Sequence, residues 1–75
     1  MKVEVHLQRI RKNKISYNVA GVVPSIEVES YQEAFDHTEV QQMIKEAYGR
    51  RFALTFYTDE GMYAVEVIKT KPYLK

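Results

Sequence analysis

DHTEVQQMIKEAYG, which spans residues 36–49, is the segment of this chain with the clearest helical pattern. Its apolar side chains recur at helical spacing and form one continuous stripe. The stripe consists of Val40, Met43, Ile44, Ala47 and Tyr48. The side chain of Asp36 or Thr38 can accept hydrogen bonds from the free amides of the first turn. Gly49 can take the left-handed conformation that commonly ends a helix. The sequence therefore predicts one amphipathic helix from Asp36 to Gly49, with strands on both sides of it.

The region before this helix predicts a hairpin, because its residues alternate between polar and apolar. The inward-facing sets are Val3, Val5 and Leu7 in a first strand and Ile15, Tyr17 and Val19 in a second. A two-residue loop at residues 12–13 joins the strands and pairs Ile10 with Ile15. A β-bulge near residues 8–9 is then needed to bring Leu7 opposite Tyr17. The same bulge sets Val5 opposite Val19.

A short third strand is predicted after a disturbance at Gly21 and Pro24, because glycine weakens a strand interior and proline has no amide hydrogen. Ile26 and Val28 alternate there with acidic residues, so this strand exposes its acidic side to water. Ser30, with a glutamate three residues later, matches a helix capping box. An irregular connection or a single helical turn is therefore expected between Ser30 and the main helix.

The region after the main helix predicts a second hairpin. Its inward-facing sets are Phe52, Leu54 and Phe56 in one strand and Tyr63, Val65 and Val67 in the other. A turn centred on residues 60–61 sets Phe56 opposite Val65, and the same register sets Leu54 opposite Val67.

Together these elements predict an α+β fold in a small single domain over residues 1–75. The predicted order is ββ(β)αββ, in which an antiparallel sheet of four to five strands has one helix packed across one face. A chain this small buries only about 60% of the surface that its unfolded form exposes. Cysteine is absent, so neither a disulfide nor a cysteine metal cluster can add stability. Oligomerisation is therefore expected, with a homodimer favoured.

The net charge of +1 hides a segregation of charge along the sequence. Residues 1–26 carry a net charge of +4, residues 27–48 carry −5 and residues 49–75 carry +2. A surface divided in this way can steer a complementary protein or orient two copies of the chain. The alternative is that these charges only keep the surface solvated, since exposed ion pairs contribute little to stability.

A single helix leaves the second face of the sheet uncovered, and this face is the candidate protein interface. An edge strand near residues 26–28 offers a second place for a partner. The candidate interface residues are Ile26, Val28, Thr55, Tyr57, Ala64, Glu66 and Ile68. The alternative is that they are ordinary exposed strand residues, because more than half of a folded surface is apolar.

A nucleic-acid interface is the second hypothesis, because basic residues are interleaved with tyrosines that can stack on bases. The candidate contacts are Arg9, Arg11, Lys12, Lys14, Tyr17, Arg50, Arg51, Lys69 and Lys71. The sequence pI of about 8.0 lies below the range typical of nucleic-acid-binding domains. The acidic middle segment would repel phosphates unless it lies on the far side of the protein.

No motif indicates catalysis. His6 lies on the polar side of a strand, and His37 stands at the start of the predicted helix, where we interpret it as a capping-region residue. The glycines are too scattered for a phosphate-binding loop, and no serine has the setting of a catalytic nucleophile. We therefore expect a protein without enzymatic activity, cofactor or bound metal.

The alternation of the first residues and the lack of a long apolar run predict a cytoplasmic chain with neither a signal peptide nor a membrane span. With the mixed charge and the two-sided sheet, this predicts a small noncatalytic interaction module that binds a protein partner. Compact chains of this kind include regulators and inhibitors, among them accessory proteins of phages.

Overall fold

Two β-hairpins flank a pair of short helices. The computed structural model describes residues 1–12, 14–47 and 51–68, and for residues 16–18, 66 and 68 it describes the backbone alone. The elements are β1 (Lys2–Arg11), β2 (Lys14–Glu27), α1 (Tyr31–Asp36), α2 (Thr38–Glu46), β3 (Arg51–Thr58) and β4 (Gly61–Ile68). The predicted α+β class with an antiparallel sheet is confirmed.

The four strands form one sheet in the order β2-β1-β3-β4, and every neighbouring pair is antiparallel. The predicted third strand is not separate, because residues 26–27 continue β2 without a break. The disturbance predicted at Pro24 is present as a shift in register: Val5 pairs with Val23, whereas Val3 pairs with Ile26. Two residues of β2, Pro24 and Ser25, therefore lie opposite the single residue Glu4 of β1, and this bulge lets an edge strand accommodate the proline.

The register of β1 on β2 differs from the predicted one. Leu7 lies opposite Gly21 rather than Tyr17, and Val5 lies opposite Val23, so both predicted pairs are wrong. The prediction allowed for one bulge, whereas the pair contains shifts at three places. Each extra residue moves the following side chains to the other face of the strand.

The tip of this hairpin is as predicted. Ile10 pairs with Ile15, and Arg11 pairs with Lys14, which leaves two residues for the loop. Lys12 has a φ of 50°, in the left-handed region that two-residue hairpin loops commonly use.

The turn of the second hairpin lies one residue earlier than predicted, at residues 59–60. Phe56 is therefore opposite Tyr63 rather than Val65, and the pair predicted for Leu54 is displaced in the same way. Because the displacement is by two residues, each side chain stays on its predicted face of the sheet.

Two helices are present where the sequence predicts one main helix preceded by an irregular connection or a single helical turn. The shorter helix, α1, takes the place of that predicted turn. α1 begins after Ser30, whose Oγ accepts a hydrogen bond from the amide of Glu33 at 3.1 Å. Glu33 Oε2 in turn accepts a hydrogen bond from the amide of Glu29 at 2.9 Å. The Ser30 half of the predicted capping box is therefore present. Glu33 bonds the amide of Glu29, the residue before the N-cap, whereas a complete capping box would bond the amide of Ser30.

His37 separates α1 from α2 because its backbone is extended, with φ −59° and ψ 138°. Its Nδ1 accepts a hydrogen bond from the amide of Glu39 at 3.2 Å, so His37 is the N-cap of α2 rather than either of the predicted neighbours. Gln41 Nε2 donates to the carbonyl of Phe35 at 2.6 Å and joins the two helices across the break.

α2 ends at Glu46, before the predicted stop. Ala47 is extended, with φ −82° and ψ 149°, and its amide donates to the carbonyl of Ile44 at 3.2 Å. Tyr48 and the predicted stop at Gly49 lie outside the described residues. Neither described helix is long and apolar enough to cross a membrane.

The hydrophobic core lies between the helices and one face of the sheet, which we call the helical face. Its buried strand residues are Val3, Val5, Leu7, Val23, Phe52, Leu54 and Phe56. Val40 of α2 is buried among them, and Met43, Ile44 and Ala47 pack against the cluster. The described part of the predicted helical stripe is therefore confirmed, as are the inward-facing sets of β1 and β3.

Candidate protein interface

The outer face is the side of the sheet opposite the helices. Paired residues on neighbouring strands point to the same side of a sheet, so the register defines rows of positions across this face. One row contains Val22, His6, Thr55 and Ala64, and the next contains Val19, Gln8, Ala53 and Glu66. No helix or strand of the described ranges lies against this face.

Exposed apolar side chains lie along both margins of the outer face. On β2, Ile15, Val19 and Val22 are 44%, 42% and 50% exposed. On the other margin, Met62 is 64% exposed and its cross-strand partner Tyr57 is 36% exposed. We call these five side chains the apolar rims. A set of large apolar side chains exposed on one face is typical of a surface that binds another protein.

The centre of the outer face is buried. Thr55 is 1% exposed and Gln8 is 8% exposed, and Thr55 Oγ1 donates to Gln8 Oε1 at 2.8 Å. The bond is needed because a buried polar group without a partner is costly. Thr55 was predicted to contact a partner, and this is corrected: its hydroxyl is bonded within the chain and its side chain does not reach the surface.

One end of the outer face carries a small polar and aromatic cluster. His6 Nε2 donates to Glu4 Oε2 at 2.5 Å, and the rings of His6 and Tyr57 are 4.6 Å apart at 54°. This contact fixes the orientation of Tyr57 at the margin of the face. Within the described residues, no group of three or more histidine, cysteine or acidic side chains is arranged to hold a metal ion.

The remaining residues of the predicted interface divide into two groups. Tyr57 and Ala64 are exposed on the outer face. Glu66 and Ile68 belong to the same face by register, and the structure describes their backbone alone.

Ile26 and Val28 do not face a partner. Ile26 is half-buried and packs against the core, and Val28 is a buried member of it. The amide of Val28 donates to the carbonyl of Met1 at 3.0 Å, which extends the pairing of β1 with β2 by one step. The ammonium of Met1 lies 2.8 Å from Glu27 Oε2, and its hydrogen bond and charge lower the pKa of that carboxyl. Both predicted positions are therefore removed from the candidate interface.

The fold brings the described basic residues among the predicted nucleic-acid contacts to one end of the sheet. The tip of the first hairpin exposes Arg11, Lys12 and Lys14, and Arg51 begins β3 at the same end of the sheet. Arg9 lies on the helical face, because it pairs with Phe52, and Arg11, two residues further along β1, lies on the same face. Three further predicted contacts, Arg50, Lys69 and Lys71, lie outside the described residues. For Tyr17 the structure describes only the backbone.

The sequence interpretation missed most of the apolar rims. It placed Ile15 and Val19 on the inward face of β2, and it did not consider Val22 or Met62. The signal that could have found them is the apolar character of the whole run from Val19 to Val23, which a bulge at Ala20 and the alternation of the strand divide between both faces.

No protein family model matches this chain, and neither a curated protein nor a solved structure is significantly similar to it.

Proposed function

We propose that this protein is a noncatalytic protein-binding module that self-associates through its outer face. The observation that carries the proposal is the pair of apolar rims, which stay in water in the single chain although the helical face has a complete core. Covering these side chains with a second copy removes apolar surface from water, at about 25 cal/mol per Å². A regulator or an inhibitor that acts by covering a surface of its target protein needs an exposed apolar face of this kind.

The charges at the two ends of the sheet favour a second copy as the occupant. One end of the sheet, where β1 begins, is acidic. This acidic end has four carboxylates and two cations, namely Glu4, Glu27, Asp59 and Glu60 with Lys2 and the ammonium of Met1. The basic end holds Arg11, Lys12, Lys14 and Arg51. When two outer faces stack with their strands running in opposite directions, each acidic end meets a basic end. A twofold axis then repeats every favourable contact.

The apolar rims on β2 and at Tyr57 and Met62 would form the contact between the two copies. The molecule measures 41 × 25 × 16 Å along its principal axes, and a typical specific interface covers about 800 Å² on each partner. Sheets that pack face to face in this way are about 10 Å apart and interdigitate their side chains.

Aspartate on either apolar rim should dissociate the assembly. We expect Val19→Asp and Met62→Asp to convert a dimer of twice the 8.8 kDa chain mass into a monomer, because each buries a charge that has no partner. The measurement is absolute mass by light scattering across a gel-filtration peak, at several loading concentrations. Both positions are exposed in the single chain, so circular dichroism should remain that of the native fold.

Gln32→Asp is the matched control, since it adds the same charge on α1, an exposed part of the helical layer. This variant should keep the mass of the unmodified protein. A monomeric unmodified chain at its highest soluble concentration would contradict the proposal. So would a dimer that all three aspartate variants leave intact.

A second candidate function, nucleic-acid binding, is supported by the gathering of cations at the basic end. The carboxylates of the helices, which include Glu33, Asp36 and Glu39, lie instead on the helical layer. Phosphates approaching the tip of the first hairpin therefore meet mainly positive charge, and this would give binding that weakens as salt is added.

Charge reversal at the tip separates the two functions. Replacing Arg11, Lys12 and Lys14 with glutamate should abolish binding of a labelled single-stranded oligonucleotide, measured by fluorescence anisotropy over a range of salt concentrations. Val19→Asp should leave that binding unchanged. Nucleic-acid binding is excluded when the unmodified protein fails to bind at low salt, or when the reversed variant binds as well as the unmodified protein does.

A further inference from the structure

A groove of about 760 Å³ lies on the helical side of the molecule, between α2 and the edge strand β2. One wall is the side of α2 that carries Thr38, Glu39, Gln42 and Glu46, and the other is the segment of β2 from Ala20 to Val23. The groove therefore runs between a helix and the open edge of a sheet. This is a geometry in which an added peptide strand can lie.

The floor of the groove is apolar. Leu7 and Phe52 form part of it and are each 2% exposed, while Met43 lies above Gly21. A Cβ at Gly21 would come within 2.8 Å of Met43 Sδ, so the glycine makes room for the methionine. Methionine is unbranched and adapts its shape, which suits a floor that must receive an apolar side chain from a ligand.

The β2 wall offers backbone groups. Val5 to Leu7 pair with Val23 to Gly21 without a shift in register, so this part of β2 is a regular strand. β2 stands at the margin of the sheet, and alternate residues of an edge strand direct their amide and carbonyl groups away from the sheet. An extended peptide can pair with these groups in any sequence, and its side chains then determine specificity.

The α2 wall sets the charge of the ligand. Glu39 and Glu46 are exposed along it, and neither forms an ion pair within the described residues. Arg9 is the cation among the residues that line the groove, and it comes from the sheet side. The segment that contains both helices, residues 27–48, carries a net charge of −5, so it attracts a positively charged ligand.

We propose that this groove binds an extended basic segment of a partner protein, which adds to the edge of β2 as a further strand. An apolar side chain of the segment rests on Met43, and lysine or arginine side chains on its helix-facing side contact Glu39 and Glu46. Of the five apolar-rim side chains only Val22 also lines the groove, and the groove opens on the helical side, so the proposal does not depend on self-association.

Two fluorescent synthetic heptapeptides test the proposal, one alternating lysine with valine and the other alternating glutamate with valine. We expect the basic peptide to bind and the acidic peptide not to bind, as measured by anisotropy at low salt. Exchanging Glu39 and Glu46 for lysine should weaken binding of the basic peptide by about tenfold or more, because it replaces attraction by repulsion.

The matched control exchanges Glu29 and Glu60 for lysine, which changes the net charge equally at exposed positions outside the groove. This control should bind within about twofold of the unmodified protein. A basic peptide with methyl groups on alternate backbone nitrogens tests the strand addition. It keeps every side chain but cannot donate those hydrogen bonds, so its binding should be lost.

Three results overturn the proposal: no binding of the basic peptide, equal weakening by the groove variant and the control, or unchanged binding of the methylated peptide. Met62→Asp distinguishes this proposal from self-association. This variant should bind the basic peptide as the unmodified protein does, whatever its own molecular mass, because Met62 lies outside the groove.

Discussion

Replacing Phe56 by alanine should lower the free energy of unfolding by about 3–5 kcal/mol. Phe56 is 1% exposed on the central strand β3. Its ring centroid lies 5.9 Å from that of Tyr31 and 6.3 Å from that of Tyr63, so it holds α1 and β4 against the same part of the core. Alanine leaves a cavity and removes two aromatic contacts at once.

A loss of this size is large for this chain. Domains have unfolding free energies of about 0.05–0.15 kcal/mol per residue, and this chain has 75 residues. The variant should therefore populate the unfolded state at room temperature. Urea unfolding followed by circular dichroism measures the effect, and an unchanged slope with a lower midpoint identifies a loss of stability alone.

Glu60→Ala is the control in the same hairpin. Glu60 is exposed in the turn and lies outside the apolar rims, so its truncation should change the unfolding free energy by no more than about 0.5 kcal/mol. If the two variants unfold at the same urea concentration, Phe56 does not occupy the centre of the core.

The strands and their inward faces could be predicted from the sequence where the alternation is regular. In β3 and β4 the predicted faces are correct although the turn is displaced, because a displacement of two residues preserves the alternation. Gly61 has a φ of 137°, a conformation that L side chains rarely adopt. This glycine pairs with Thr58 as the first residue of β4, next to the turn and not in it.

The first hairpin could not be predicted in the same way. Its register depends on shifts at three places, one of which lies at Pro24, a residue that cannot donate a hydrogen bond to a neighbouring strand. Ile15 and Val19 are apolar and alternate correctly, yet they lie on the outer face, opposite Ile10 and Gln8. The candidate interface was therefore only partly predictable, because most of the apolar rims depend on this register.

The helices were also only partly predictable from the sequence. The stripe through Val40, Met43 and Ile44 locates α2, because burial on one side gives a clear period. The break at His37 has no such signal. Asp36 and Thr38 are both stronger N-cap residues than histidine, and the cap falls between them.

The second large effect is expected at the buried hydrogen bond of the outer face. Thr55→Val keeps the shape of the side chain but removes the hydroxyl that donates to Gln8 Oε1. Gln8 Oε1 then loses this bond in a place that is closed to water, which should cost about 1–3 kcal/mol of unfolding free energy. The same urea measurement applies, and Thr38→Val, at an exposed position, is the control.

A double-mutant cycle with Gln8→Leu separates the bond from the packing of each side chain. When both partners are apolar, no acceptor is left unsatisfied by the missing hydroxyl, so the double variant should be more stable than the sum of the single effects by about 0.5–3 kcal/mol. Additive effects would show that the contact contributes nothing to stability.

The cycle also tests the proposed interface, because both side chains are already buried in one copy. Their replacement should therefore change the unfolding free energy while the mass measured by light scattering stays that of the unmodified protein.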